Sequence, residues 1–200
     1  MATEEVLARL ERVEAQLEIQ QLAVRYAQAI DARDLDAWLT CFRPDVDMGR
    51  AGTGREVLRS RIEPLARTFR RSVHHITGHR IEPVSSDRAR GAVYCRAEHE
   101  VGDRWITMSI CYFDDYVRLD GRWYFSRRRE RHWYSADVPD RPQDVDYTAW
   151  SQAGRPDLPE AFPSWEPFWA ADPATAAAPG DEPTGVDEPI DARPGDRSTS

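Results

Sequence analysis

The feature that most constrains this chain is a change of hydrophobic period near residue 71. From Glu4 to Phe69 apolar residues recur at spacings of three and four, whereas from Val73 to Trp133 they alternate with polar ones. The first repeat is that of a helix face and the second that of a half-buried strand. Helices followed by an antiparallel meander predict an α+β domain in which a curved sheet wraps the N-terminal helices.

Within the helical part, Val6, Leu10, Val13 and Leu17, then Leu22, Tyr26 and Ile30, predict one long helix over 4–30 whose stripe changes register midway. Asp34 is placed to cap a second, short helix carrying Trp38, Leu39 and Phe42, which Pro44 ends. A third helix is expected over about 55–69. Four strands follow, over 73–84, 89–101, 105–119 and 122–133, the last two joined by the hairpin signal Asp120-Gly121.

The chain's 200 residues, 40% of them hydrophobic and seven of them Trp, suffice for one substantial core. The expected organisation is a catalytic domain over 1–137, a Pro/Trp-rich extension over 138–170 that docks on the domain or on a neighbouring subunit, and a disordered acidic tail over 171–200. The net charge of -8 is uneven: segment 155–200 holds three Arg against ten acidic residues, a net of -7, which leaves -1 for the rest. A nearly neutral domain with an acidic tail argues against nucleic acid or an anionic membrane as partner. All 27 basic residues are Arg, so Lys-based Schiff-base or nucleophilic chemistry is excluded. Cys41, Cys95 and Cys111 are widely spaced in apolar segments and read as buried thiols. With neither a signal peptide nor a membrane span in the sequence, a cytoplasmic location is expected.

Strand alternation sorts the polar residues by face. On the first strand Val73, His75, Thr77 and His79 share one face, and His74, Ile76 and Gly78 the other. On the second, Gly91, Val93, Cys95, Ala97 and His99 form a small, apolar face, which we assign to the concave side, with His75 joining His99 there. Asp31 and Tyr26 lie at the end of the long helix. A carboxylate beside an imidazole makes a positioned general base, because it fixes the tautomer and stabilises the protonated ring. On the last strand Trp123, Phe125, Arg127, Arg129 and Arg131 alternate with the other residues, and inward Arg side chains must meet carboxylates such as Asp114 or Asp115, or an anionic substrate oxygen. Taken singly, each residue has a structural reading: a core His, a core Tyr with a hydroxyl handle, a capping Asp, surface ion pairs. Asp31, His75 and His99 could also form a two-His, one-carboxylate metal site, against which an Asp–His base needing no metal is preferred.

The order Y-x-x-x-x-D at the helix end, D-x-x-x-W, HHITGHRI, V-x-S-D-x-A-x-x-x-x-Y, a His at the strand end, and D-G-R-W before an Arg-rich strand resembles the SnoaL-like domain of the nuclear-transport-factor-2-like superfamily over roughly 5–135. The pattern is similar to those of scytalone dehydratase, hexachlorocyclohexane dehydrochlorinase and bile-acid 7α-dehydratase. The resemblance implies an α+β cone with a deep pocket and cofactor-free lyase or isomerase chemistry on an Asp–His base. Carried over by residue, it implies catalytic roles for Tyr26, Asp31, His75, His99 and Arg129, with Arg127 or Arg131 as alternatives to the last. The expectation is therefore a dehydratase with no cofactor and no metal, acting on a small hydrophobic hydroxylated cyclic substrate and assembling as a homo-oligomer, dimer or trimer. A ketosteroid-isomerase-like isomerase, a polyketide cyclase or a non-catalytic binding subunit are the alternatives.

Overall fold

The computed structural model describes residues 2–144 and 158–171. The chain runs through helix α1 (Ala2–Asp31), α2 (Leu35–Thr40) and α3 (Arg55–Thr68), then strands β1 (Ser72–Pro83), β2 (Arg88–Val101), β3 (Arg104–Leu119) and β4 (Arg122–Val138), and a last short helix α4 (Trp165–Ala170). The strands form one antiparallel meander in the order β1-β2-β3-β4. Helices first and a curved antiparallel sheet after them make the expected α+β cone.

Local chemistry explains the junctions. Asp34 caps α2 by accepting the Ala37 backbone N–H at 2.9 Å. Asp120 and Gly121 both take positive φ, 48° and 79°, as a tight turn matched to strand twist requires. The second half of α1 lies on the concave face of the sheet, where Ile19, Leu22, Trp38, Phe42, Tyr116, Trp123 and Phe125 form the main core. Beyond α2, Phe42 bridges to Phe125 and covers the outer edge of β4. Among the described residues no helix is long and apolar enough to cross a membrane.

Three β-bulges control which side chains enter the cone. In β1 the register shifts between Ile76 and Gly78, leaving Thr77 as the extra residue. In β4, Ser126 and Trp133 are the extra residues opposite Asp115–Tyr116 and Ser109–Ile110. A bulge adds one residue to one strand, so the alternation of faces is reversed beyond it. The concave face therefore carries Ser72, His74, Ile76, His79 and Ile81 from β1, and Trp123, Phe125, Arg128, Glu130 and His132 from β4. His75 is exposed on the convex face, contrary to the expected pairing with His99. Arg129 and Arg131 likewise lie opposite Phe113 and Cys111 on the convex side, and Arg128 takes the inward position.

The Pro/Trp-rich extension falls partly outside the described residues, at 145–157, as does the tail at 172–200. Of its aromatics, Trp165 is fully buried and Phe168 nearly so. They pack where α1 and α3 end: Ser164 donates to Ala32 O at 2.6 Å, and Arg67 donates to Phe168 O at 2.9 Å while covering that ring at 4.2 Å.

Candidate active site

The end of α1 and the start of β1 bring together the first polar cluster. Because β1 is an edge strand, its outward N–H groups need partners other than the sheet, and the Asp31 carboxylate takes one of them. Oδ2 accepts the His74 backbone N–H at 2.8 Å, while Oδ1 accepts the Ser72 hydroxyl at 3.0 Å and the His74 Nδ1–H at 2.6 Å. The 2.6 Å contact is short, and because a carboxylate only accepts, it is made by the tautomer with the proton on Nδ1. In the neutral ring that tautomer has its lone pair on Nε2.

His99 stands beside this pair. Its ring is stacked on Phe69 at 4.3 Å and meets the His74 ring edge-on at 5.4 Å. Burial, and secondarily the nearby His74 and Arg33, lowers its pKa to about 3, so the ring is neutral at ordinary pH. Its Nδ1 is buried without a hydrogen-bond partner.

Arg33 supports the cluster from beneath. It sits in the left-handed region, at φ 58°, where α1 turns into α2, and is only 2% exposed. It donates to Ile30 O at 2.6 Å, Ser72 Oγ at 2.8 Å and Phe69 O at 2.7 Å. Burial lowers its pKa to about 10, which leaves it charged at neutral pH. Trp165 lies over its guanidinium at 5.4 Å, so a continuous chain of contacts runs from Trp165 through Arg33, Ser72 and Asp31 to His74.

A second cluster lies further along the concave face. Arg128 donates to both oxygens of Asp114, at 2.9 and 2.7 Å, with side chains 5% and 0% exposed. Tyr26, Tyr112 and Phe125 surround the guanidinium at 4.3, 4.3 and 4.1 Å. Arg128 Nη1 remains buried without a hydrogen-bond partner. Tyr116 donates its single proton to Asp114 at 2.8 Å, so His79 must carry a proton on Nε2 to bond the same hydroxyl at 2.9 Å. The ring of Tyr116 fits because Gly91 has no side chain: a Cβ there would meet Arg80 O at 2.8 Å and Tyr116 at 3.0 Å. Burial raises the Tyr26 pKa to about 12, so its phenol keeps its proton.

Of the residues selected from sequence, Asp31 and His99 meet at the first cluster and Tyr26 joins the second. His75 and Arg129 are not brought to either. Because His75 faces away, the set of Asp31, His75 and His99 does not converge, and among the described residues no group of three His, Cys, Asp or Glu side chains is placed to hold a metal ion. His74 and Arg128, each adjacent in sequence to a selected residue, occupy the inward places. Arg33, Ser72 and the Tyr116–His79 pair had no signal, since they are assembled by contacts between distant segments.

The model of the SnoaL-like domain matches residues 11–129. The chain belongs to the SnoaL-like domain family. Among solved structures it is similar to the hexachlorocyclohexane dehydrochlorinase LinA, with 26% identity and a TM-score of 0.59 over 66% of this chain and 94% of that one. A type-3 LinA from Novosphingobium barchaimii gives 24% identity and a TM-score of 0.59 over 66% and 94%. A Novosphingobium aromaticivorans protein to which scytalone dehydratase activity is ascribed gives 23% and 0.57 over 66% and 92%, a likeness of fold. No curated protein matches the chain. The solved structures to which the chain is similar thus include a dehydrochlorinase. Helix α4 lies outside the matched domain.

Proposed function

We propose that the protein is a cofactor-independent lyase, a dehydratase of a hydrophobic, hydroxylated cyclic substrate of steroid or polyketide type, with Asp31 and His74 as its base. The observation that carries this reading is the 2.6 Å bond between Asp31 Oδ1 and His74 Nδ1, which leaves Nε2 as a proton acceptor. In the reaction, Nε2 takes a proton from the carbon next to a carbonyl, and the resulting imidazolium is stabilised by Asp31. The C–H electron pair moves onto the carbonyl as an enolate, which collapses into the new C=C bond as the neighbouring C–O bond breaks, and the departing hydroxide takes its proton from the imidazolium, leaving as water and restoring neutral His74. Arg128, its charge paired with Asp114, has one unpartnered N–H to donate to the enolate oxygen. His99, being neutral, serves as a wall and hydrogen-bonding group beside His74 rather than as a proton donor. The kinship with a dehydrochlorinase, by name an elimination enzyme, supports the same class of chemistry.

The test is incubation with a panel of cyclic β-hydroxy ketones in D2O, read by mass spectrometry. Loss of one water that disappears in Asp31→Asn and His74→Ala is the expected outcome. Turnover without loss of water, with at most deuterium gained from the solvent, would make the protein an isomerase, and absence of both product and deuterium exchange across the panel would favour a binding subunit.

A further inference from the structure

The first half of α1 keeps its apolar seam exposed among the described residues. From Thr3 to Glu18 every side chain except Ala15 is exposed, and Val6, Leu7, Leu10, Val13 and Leu17 keep 60, 53, 50, 50 and 55% of their surface. Residues 2–17 extend about 24 Å at the rise of an α-helix. A helix of that length is marginal in water alone, because helices in proteins are held chiefly by packing of an apolar face. Only from Ile19 onward does α1 bury side chains in the domain.

The spacing of the exposed residues says what covers them. Val6, Leu10, Val13 and Leu17 are separated by four, three and four residues. This is the 3.5-residue period of a coiled-coil seam, with Leu10 and Leu17 at a and Val6 and Val13 at d. In that frame Arg9 is at g and Glu14 at e. Parallel strands place g of one helix beside e of the next heptad on its neighbour, so Arg9 meets Glu14 of a second copy, and the reciprocal pair forms as well. An antiparallel arrangement would set Arg9 against Gln16 and Glu14 against Leu7, with no ion pair. We infer that residues 2–17 form a parallel coiled coil with the same segment of another copy of this chain, projecting from the catalytic domains and joining them through their N-termini. The heptad spacing, the exposed apolar seam and the charge complementarity all select that occupant over an unrelated partner.

Disulfide trapping tests this without reference to activity. The native Cys41, Cys95 and Cys111 are buried, so the background is silent. Val13→Cys, at a layer where parallel helices meet their own counterpart, is expected to give a covalent pair of chains under mild oxidation. Glu11→Cys, on the outer face of the same turn, is expected to stay single. Arg9→Glu in the Val13→Cys background should reduce the covalent pair, and adding Glu14→Arg should restore it. Val13→Cys protein that is folded by circular dichroism yet remains a single chain overturns the inference. Equal cross-linking of Glu11→Cys, or indifference to the charge reversal, overturns it too.

Discussion

Asp31 accepts three hydrogen bonds with two oxygens, and two of the three come from His74. On the proposed mechanism loss of either partner removes the same base, so the effects of Asp31→Asn and His74→Ala are expected not to multiply. Each is expected to lower kcat/KM by ~10² to 10⁴-fold, with the double variant little worse than either alone. His75→Ala, on the exposed convex face, is expected to stay near wild type in the same assay. The depressed pKa of His99 has a thermodynamic consequence. In the unfolded chain the ring titrates near its ordinary value, about 6.5, whereas in the fold it titrates at about 3. As pH falls through that window the unfolded state binds the proton and the native state does not, so stability is complete above the upper value and declines toward the lower one. Denaturant titrations at a series of pH values should show His99→Gln with a flatter acid limb over this range than the parent.

At the scale of elements, the bulges at Thr77 and Ser126 decide which imidazole and which guanidinium enter the cone. Arg128 reaches Asp114 only because Ser126 shifts the alternation of β4 by one. Once there, it cannot be removed alone without leaving a buried carboxylate unpaired. Arg128→Met is expected to cost about 3 to 5 kcal/mol in chemical denaturation, and adding Asp114→Asn should recover part of that loss. Helix α4 touches the first cluster through Arg33. With Trp165→Ala the guanidinium gains water on the face the indole covered, and its grip on Ser72 and hence on Asp31 loosens. A fall in kcat with KM little changed, and a shift in the His74 imidazole resonances, are the expected signs. An unchanged His74 spectrum in the folded variant would show that α4 does not act on the base.

For the molecule as a whole, the boundary that matters lies beyond the matched domain. Trp165 and Phe168 are buried against the ends of α1 and α3, while the composition of 172–200 offers little apolar surface to bury. Truncation after Ala171 is therefore expected to leave the melting temperature and activity unchanged, whereas truncation after Asp157 should lower both, as measured by calorimetry and turnover. Much of this architecture was already legible in the residue order. Helical spacing, the Asp34 cap, the Asp120-Gly121 turn and the small-residue face of β2 determined three helices, a meander, and Asp31 and His99 as inward groups, because these depend on periodicity and on local backbone chemistry. The choice of His74 over His75 and of Arg128 over Arg129 was not local. Side-chain direction in a strand has a period of two, so one unpaired residue reverses everything beyond it, and whether a residue is left unpaired depends on the neighbouring strand. Only the assembled sheet decided that, and only the folded chain could set Trp165 on Arg33 from 132 positions away and so link the last helix to the Asp31–His74 pair.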